Sequence, residues 1–454
     1  MAPYQSTPQS PSRKGWIMVS PIARVFMSGR VLLLCLASVA LVADDPPAPS
    51  STMALARLAV HAGSSERVDT PVSTSVAGLP IHRAGEAVAL FEVVDGQRVP
   101  VASQVDDSGE EPDLCWILSG TTAPGQTRVF ELVQTPQAPS EAGQSVPAVS
   151  LDDSGGALTV SVHGRPALRY QHEPIPPLPG TSPLYERGGF IHPLWSPKGE
   201  VLTRIQPPDH LHHFGIWNPW THTQFEGRQI DFWNIGDGQG TVRFKTFISK
   251  VAGDVFGEWR SLHEHVDLTA PDPSGAKVAL LEEWKVRVWN VSPRADVWLI
   301  DFASTESCAT ESPLVIEAHR YQGFGFRATA KWNDTTATML TSEGKDQSNG
   351  NTTRARWLDV RGVSAVGTSG ILFMTYPANH DFPEHLRIWP TGMNDGKENV
   401  FVNFNPAQDS DWTLEPHHDE TQRYRMLVYD GQVSAETAER TWKDFADPPT
   451  VTRE

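Results

Sequence analysis

The residues most able to do chemistry lie in one stretch, from His192 to Asn234. It reads HPLWSPKGEVLTRIQPPDHLHHFGIWNPWTHTQFEGRQIDFWN. Beyond His192 it holds His210, His212, His213 and His222, with the acids Asp209, Glu226 and Asp231 and the indoles of Trp217, Trp220 and Trp233 interleaved. Imidazole is the side chain best matched to proton transfer near neutral pH, and a neighbouring carboxylate can fix its tautomer. Acid–base catalysis therefore makes His212, His213 and Asp209 the candidate catalytic groups. His210, together with Trp217 and Trp220 as stacking surfaces, would bind substrate. A second reading is a divalent metal held by His210, His212 and Asp209, although no HExxH or comparable spacing accompanies them. A third is a set of structural histidines, or plain ligand binding. The Pro207-Pro208 pair forces an extended lead-in. On a strand, His210 and His212 would then point to one side and His213 to the other, unless the chain turns at Gly215.

Other polar stretches could join the same cleft. Glu317-Ala-His319-Arg-Tyr321-Gln-Gly-Phe-Gly-Phe-Arg327 adds His319 as a catalytic candidate and Tyr321 and Arg327 as binding candidates. Asn379-His380-Asp381, near His385 and Arg387, forms a second polar knot in a loop, with His380 a further binding candidate. Glu264, between His263 and His265, reads as surface, as do His417 and His418 in an acidic loop. No phosphate-loop pattern, GxSxG or dinucleotide fingerprint occurs, so no nucleotide cofactor is expected.

The elements that must position these groups are strands. Residues 54–137 give short apolar segments broken by turns, and the Asp95-Gly96 pair between Val-rich runs signals a hairpin. A small β-sandwich follows from that spacing. After a linker at 138–150, residues 151–448 continue the texture in longer runs such as KVALLEEWKVRVWN and DVWLIDFAS. In the first, Glu283, Lys285 and Arg287 share one face while Trp284, Val286 and Val288 share the other. Only Ser434 to Phe445 reads as a helix. The expected fold class is all-β: a small N-terminal sandwich, then a large two-sheet supersandwich with a concave face and a short C-terminal helix.

The N-terminus orders basic residues (Arg13, Lys14, Arg24, Arg30), an apolar run from Val31 to Val42, and an acidic, Pro-rich stretch. That is the order of a signal peptide ending near Ala43, followed by a linker at 44–53. It places the mature chain in the periplasm or outside the cell, with no stable membrane insertion, since no later segment is apolar enough to span a bilayer. The net charge of −17 and the lack of a Lys/Arg cluster argue against nucleic acid as a partner. Cys115 and Cys308 remain after the signal, and either a disulfide or two separate thiols would suit an exported chain. The 15 tryptophans suit large β-cores, and exposed indole faces also suit sugar rings.

PPDHLHHFGIW, with Tyr321-Gln-Gly-Phe-Gly-Phe-Arg327 and Arg356-Trp-Leu-Asp-Val-Arg-Gly362 downstream, resembles a family known as methane oxygenase PmoA-like. Its members are mostly uncharacterised exported bacterial proteins. The resemblance spans about residues 155–445, and PxDHxHHxGxW is its most specific part. It implies no settled activity. In architecture the chain also resembles galactose mutarotase-like supersandwich proteins, which handle sugars with a His acid and a carboxylate base. That resemblance implies His212 or His213 as acid and Glu283, Asp301 or Glu317 as base. The leading expectation is an exported carbohydrate-active enzyme, an epimerase, lyase or hydrolase, acting on a sugar or other small polar substrate. A metal-dependent oxidoreductase or hydrolase and a non-catalytic glycan-binding protein remain the alternatives.

Overall fold

The computed structural model describes residues 54–81, 86–136, 146–271 and 275–454. The signal-peptide and linker readings at 1–53, and most of the linker at 138–150, fall outside those residues. Among the described residues the regular elements are nearly all antiparallel strands, with one α-helix, Ala435–Ala446. Ser434 caps that helix by accepting a hydrogen bond from the Thr437 amide.

Alternation of apolar and polar residues builds two sandwiches. In the small one, a five-stranded sheet faces a three-stranded sheet over a core that includes Leu58, Leu90, Trp116, Phe130 and Leu132. The expected hairpin forms: Val94 pairs with Gln97, and both Asp95 and Gly96 have positive φ, as a two-residue turn matched to strand twist requires. The outermost strand of the five is Thr450–Arg453, from the C-terminus, laid antiparallel along Ala54–His61. The small sandwich is therefore not contiguous in sequence.

The large sandwich stacks an eight-stranded sheet, whose long strands run from Gly240 to Asp430, on a nine-stranded sheet of shorter strands. Trp259, Trp284, Ile300, Phe302 and Met426 from the first meet Leu158, Tyr170, Ile216, Phe326 and Val402 from the second. The strand Lys277–Trp289 keeps the face pattern of its sequence, with Trp284, Val286 and Val288 turned inward. Glu264 pairs outward with Arg243 and Lys245, while His263 and His265, its neighbours, point into the interior. There His265 donates to the buried Glu282 at 2.9 Å, and Tyr170 hydrogen-bonds His263 at 2.5 Å.

The nine-stranded sheet has a second, aromatic layer on the side turned away from this core. Ile216 faces the core while Trp217 faces out, and Phe326 and Arg327, or Val402 and Phe401, divide in the same way. Phe190, Phe214, Trp217, Trp233, Trp389 and Phe401 pack together there. This layer carries the candidate site. Among the described residues no helix is long and apolar enough to cross a membrane.

Candidate functional site

The segment Pro207 to His213 is not a strand. Two turns replace it: the His210 amide donates to the Pro207 carbonyl, and the His213 amide to the His210 carbonyl. Gly215 then adopts φ +63°, where a Cβ would overlap the Ile191 carbonyl oxygen of the adjacent strand. The turns gather all three imidazoles on one side, with ring centroids 4.8 to 5.5 Å apart. They line a cleft of about 240 Å³ together with Trp233, Asn234, Arg320, Tyr321, Arg387, Trp389 and Phe401.

The three histidines have different surroundings. His213 is fully buried, stacked between His210 and Phe401 at 4.8 Å from each, and its Nδ1 has no hydrogen-bond partner. Burial holds it well below the ordinary imidazole value. His212 is held near 4, mainly by burial and then by the neighbouring His210. His210 alone has an orienting partner: its Nδ1 donates to Asp209 Oδ2 at 3.0 Å. Asp209 is in turn anchored by Arg327, whose Nη2 reaches the same oxygen at 2.7 Å and the Glu398 carbonyl at 2.8 Å. Arg327 is fully buried, with its guanidinium 4.5 Å from the centre of the Trp389 ring. With Nδ1 protonated toward Asp209, the Nε2 of His210 keeps its lone pair. Burial lowers the pKa of His210, and Asp209 opposes that shift.

A second chain of contacts supports the other wall. Asp231 accepts the amides of Trp233 and Asn234 and the side-chain amide of Asn234 at 2.6 Å. Asn234 then donates to the Tyr321 hydroxyl oxygen at 3.1 Å. With that oxygen already accepting, the Tyr321 O–H is free to donate. His319 lies behind, 4.8 Å from Tyr321 and stacked on His222 at 4.0 Å; its Nε2 is buried without a partner, and burial lowers it to about 4.

Several residues expected at the site are elsewhere. Trp217 and Trp220 are buried, so neither offers a stacking face; Trp220 instead donates to Glu306 at 2.7 Å. Each contributes roughly 2–3 kcal/mol of burial to the fold. Glu283 lies on the outer face of the eight-stranded sheet, paired with Arg260 at 2.6 Å, and Asp301 there pairs with Arg425. Glu317 accepts from Gln224 and Gln229. His380 stacks on Trp412 at 4.4 Å and does not line the cleft. Arg327 is buried beneath the cleft, 2.7 Å from Asp209, and does not line it. No carboxylate lines the cleft beside His212 or His213; among the described residues the one His/carboxylate contact at the site is His210 with Asp209 behind it. Among the described residues no three His, Cys, Asp or Glu side chains come together as a metal-binding group, so His210, His212 and Asp209 do not form one. Both Cys115 and Cys308 carry free thiols. Sequence reasoning passed over Arg320, Trp389 and Phe401; the last two stand at facing ends of neighbouring strands and look like ordinary core residues in the sequence.

Residues 157–443 match the Family of unknown function (DUF6807). The chain belongs to that family. The matched span contains every residue lining the cleft and leaves out the small sandwich. Among curated proteins none matches. Among solved structures, an alpha-mannosidase from Enterococcus faecalis superposes at a TM-score of 0.43 and 10% identity, over 89% of this chain and 47% of its own. A glycosyl hydrolase family 38 protein from the same organism gives the same TM-score and identity, over 88% and 47%. The chain thus spans about half the length of these structures.

Proposed function

We propose that the protein is a carbohydrate-active enzyme working by acid–base chemistry, with His210 as base and Tyr321 as acid. The arrangement Arg327–Asp209–His210 carries this reading. A buried guanidinium fixes a carboxylate, the carboxylate fixes one imidazole tautomer, and the remaining nitrogen is left as a base in a cleft. Asp209 and Arg327 are positioning residues in this scheme. Asp231 and Asn234 do the same for the phenol. Replacing His212 or His213 by His210 as the principal base follows from hydrogen bonding: His210 alone of the three has a partner that sets its tautomer.

A cleft of this volume is smaller than the pockets of several hundred Å³ that enclose drug-sized ligands, and suits one small polar ring. Aromatic edges of Trp389 and Tyr321 beside the donors of Asn234 and two arginines suit the mixed apolar and hydroxylated surface of a sugar. The N-terminal order of charge and hydropathy supports an exported protein that meets such a substrate outside the cytoplasm.

The test is turnover of a panel of oligosaccharides by the intact protein and by His210→Ala and Tyr321→Phe variants. Each substitution is expected to lower kcat about a hundred-fold or more, as loss of a general acid or base does, with ligand binding retained. Saccharide binding without turnover of any member would leave a glycan-binding protein and overturn the enzymatic reading, as would full activity in folded His210→Ala protein.

A further inference from the structure

The cleft has an unusual charge balance for this molecule. The chain as a whole is strongly acidic, at −17, yet two arginines line the cleft and no carboxylate does. Neither arginine meets a carboxylate among the described residues. Among the described residues Arg387 bonds through Nη1 only to the neutral amide of Asn351, at 3.1 Å, and its Nε is buried without a partner. Arg320 packs 5.5 Å over the Tyr321 ring and, among the described residues, makes no ion pair. Burial, and then the neighbouring Arg320 charge, lowers the pKa of Arg387. The half-buried Arg387, with the exposed Arg320 beside it, presents donors that a bound anion would complete. Arg327, the third arginine nearby, already has its carboxylate in Asp209 and is closed off beneath them.

We propose that the cleft takes a sugar bearing a carboxylate, a uronide, with Arg320 and Arg387 holding that carboxylate between the base His210 and the acid Tyr321. The proposal rests on the acid–base reading above and narrows it. A planar carboxylate matches the fork of donors on each guanidinium. It also supplies the reaction with an acidified C–H bond. His210 Nε2 removes the proton from the carbon next to the carboxylate, and the electron pair of that C–H bond moves into the carboxylate as an enediolate. Two guanidiniums stabilise the added charge. The pair then returns to form a carbon–carbon double bond as the C–O bond at the β carbon breaks, and the Tyr321 hydroxyl gives its proton to the departing oxygen. One proton has moved to His210 and one from Tyr321. Exchange between them through solvent restores the enzyme, and no oxidant, reductant or added water is consumed.

The experiment titrates the full chain calorimetrically with oligogalacturonides and oligoglucuronides and with their carboxyl-reduced, neutral counterparts. Ultraviolet absorbance follows the conjugated double bond in parallel. Uronides are expected to bind at least ten-fold more tightly than the reduced sugars. Arg387→Gln and Arg320→Gln should each weaken uronide binding about ten- to a hundred-fold while weakening the binding of neutral sugars far less. The comparison of parent and reduced ligand on unaltered protein holds even where a variant fails to fold. Equal affinity for the two ligand forms, binding of neutral or sulfated neutral sugars in place of uronides, or no uronide binding at all would each overturn the proposal. Uronide binding without new absorbance would uphold anion recognition while overturning the elimination. Turnover of neutral sugars that depends on His210 would overturn the uronide assignment and leave the acid–base reading standing.

Discussion

The Asp209–His210 contact predicts a pH profile as well as a rate. Burial keeps His210 below the ordinary imidazole range, so the acid limb of kcat/KM should lie below pH ~6.5. Asp209 favours the protonated imidazole, by hydrogen bond and by charge. Asp209→Asn should therefore move that limb further toward acid, and also lower kcat about a hundred-fold or more by releasing the tautomer. A variant with lower kcat but an unmoved limb would show Asp209 to be structural only. His213, tightly packed and without a partner at Nδ1, serves as a wall of the site rather than as its reagent. The histidines are all visible in the sequence, yet their ranking is not, because it depends on which imidazole meets a carboxylate and which meets aromatic rings.

At the scale of elements, the cleft depends on how the chain leaves the turns at Pro207 to His213 and enters the central strand Ile216–Trp217. Gly215 makes that entry, close against the neighbouring strand. Gly215→Ala should cost roughly 2–4 kcal/mol, from positive φ and from the clash with the Ile191 carbonyl, and should disperse the histidine cluster. Denaturant unfolding reads the first effect and loss of activity the second. The strand texture, the Asp95-Gly96 hairpin and the Ser434-capped helix follow from alternation and turn chemistry, and were readable in the sequence. The histidine segment was not, because two short turns obey local hydrogen bonds that leave no periodicity. Glu283 shows the opposite failure. The face it shares with Lys285 and Arg287, opposite Trp284, already placed it outside the core, and the structure keeps it there with Arg260. The aromatic layer over the nine-stranded sheet was also hidden, since strands of two to five residues are too short for their outward side to register as a pattern.

At the scale of the whole molecule, buried acids set a second pH response. Glu384 is fully enclosed and accepts from Thr375 and from Asn379, at 2.8 Å for the latter; burial raises it to about 7. The folded state thus holds a proton that the unfolded chain releases near 4.5, so the associated stability is complete below that value and is lost as pH rises through 7. Glu384→Gln, which keeps the shape and removes the charge, should flatten this part of the curve, worth on the order of 3 kcal/mol. Thermal melts of both proteins from pH 4.5 to 8 would check it. The placement of Thr450–Arg453 beside Ala54–His61 acts over the same distance. These two strands of the small sandwich are nearly four hundred residues apart in the chain, so one is made long before the other. Until Thr450–Arg453 is in place, the edge along Ala54–His61 stays open, its amides and carbonyls exposed to any other strand that passes. A chain truncated before Thr450 should therefore expose the backbone of Ala54–His61 and associate edge to edge, which size-exclusion chromatography would detect as oligomers.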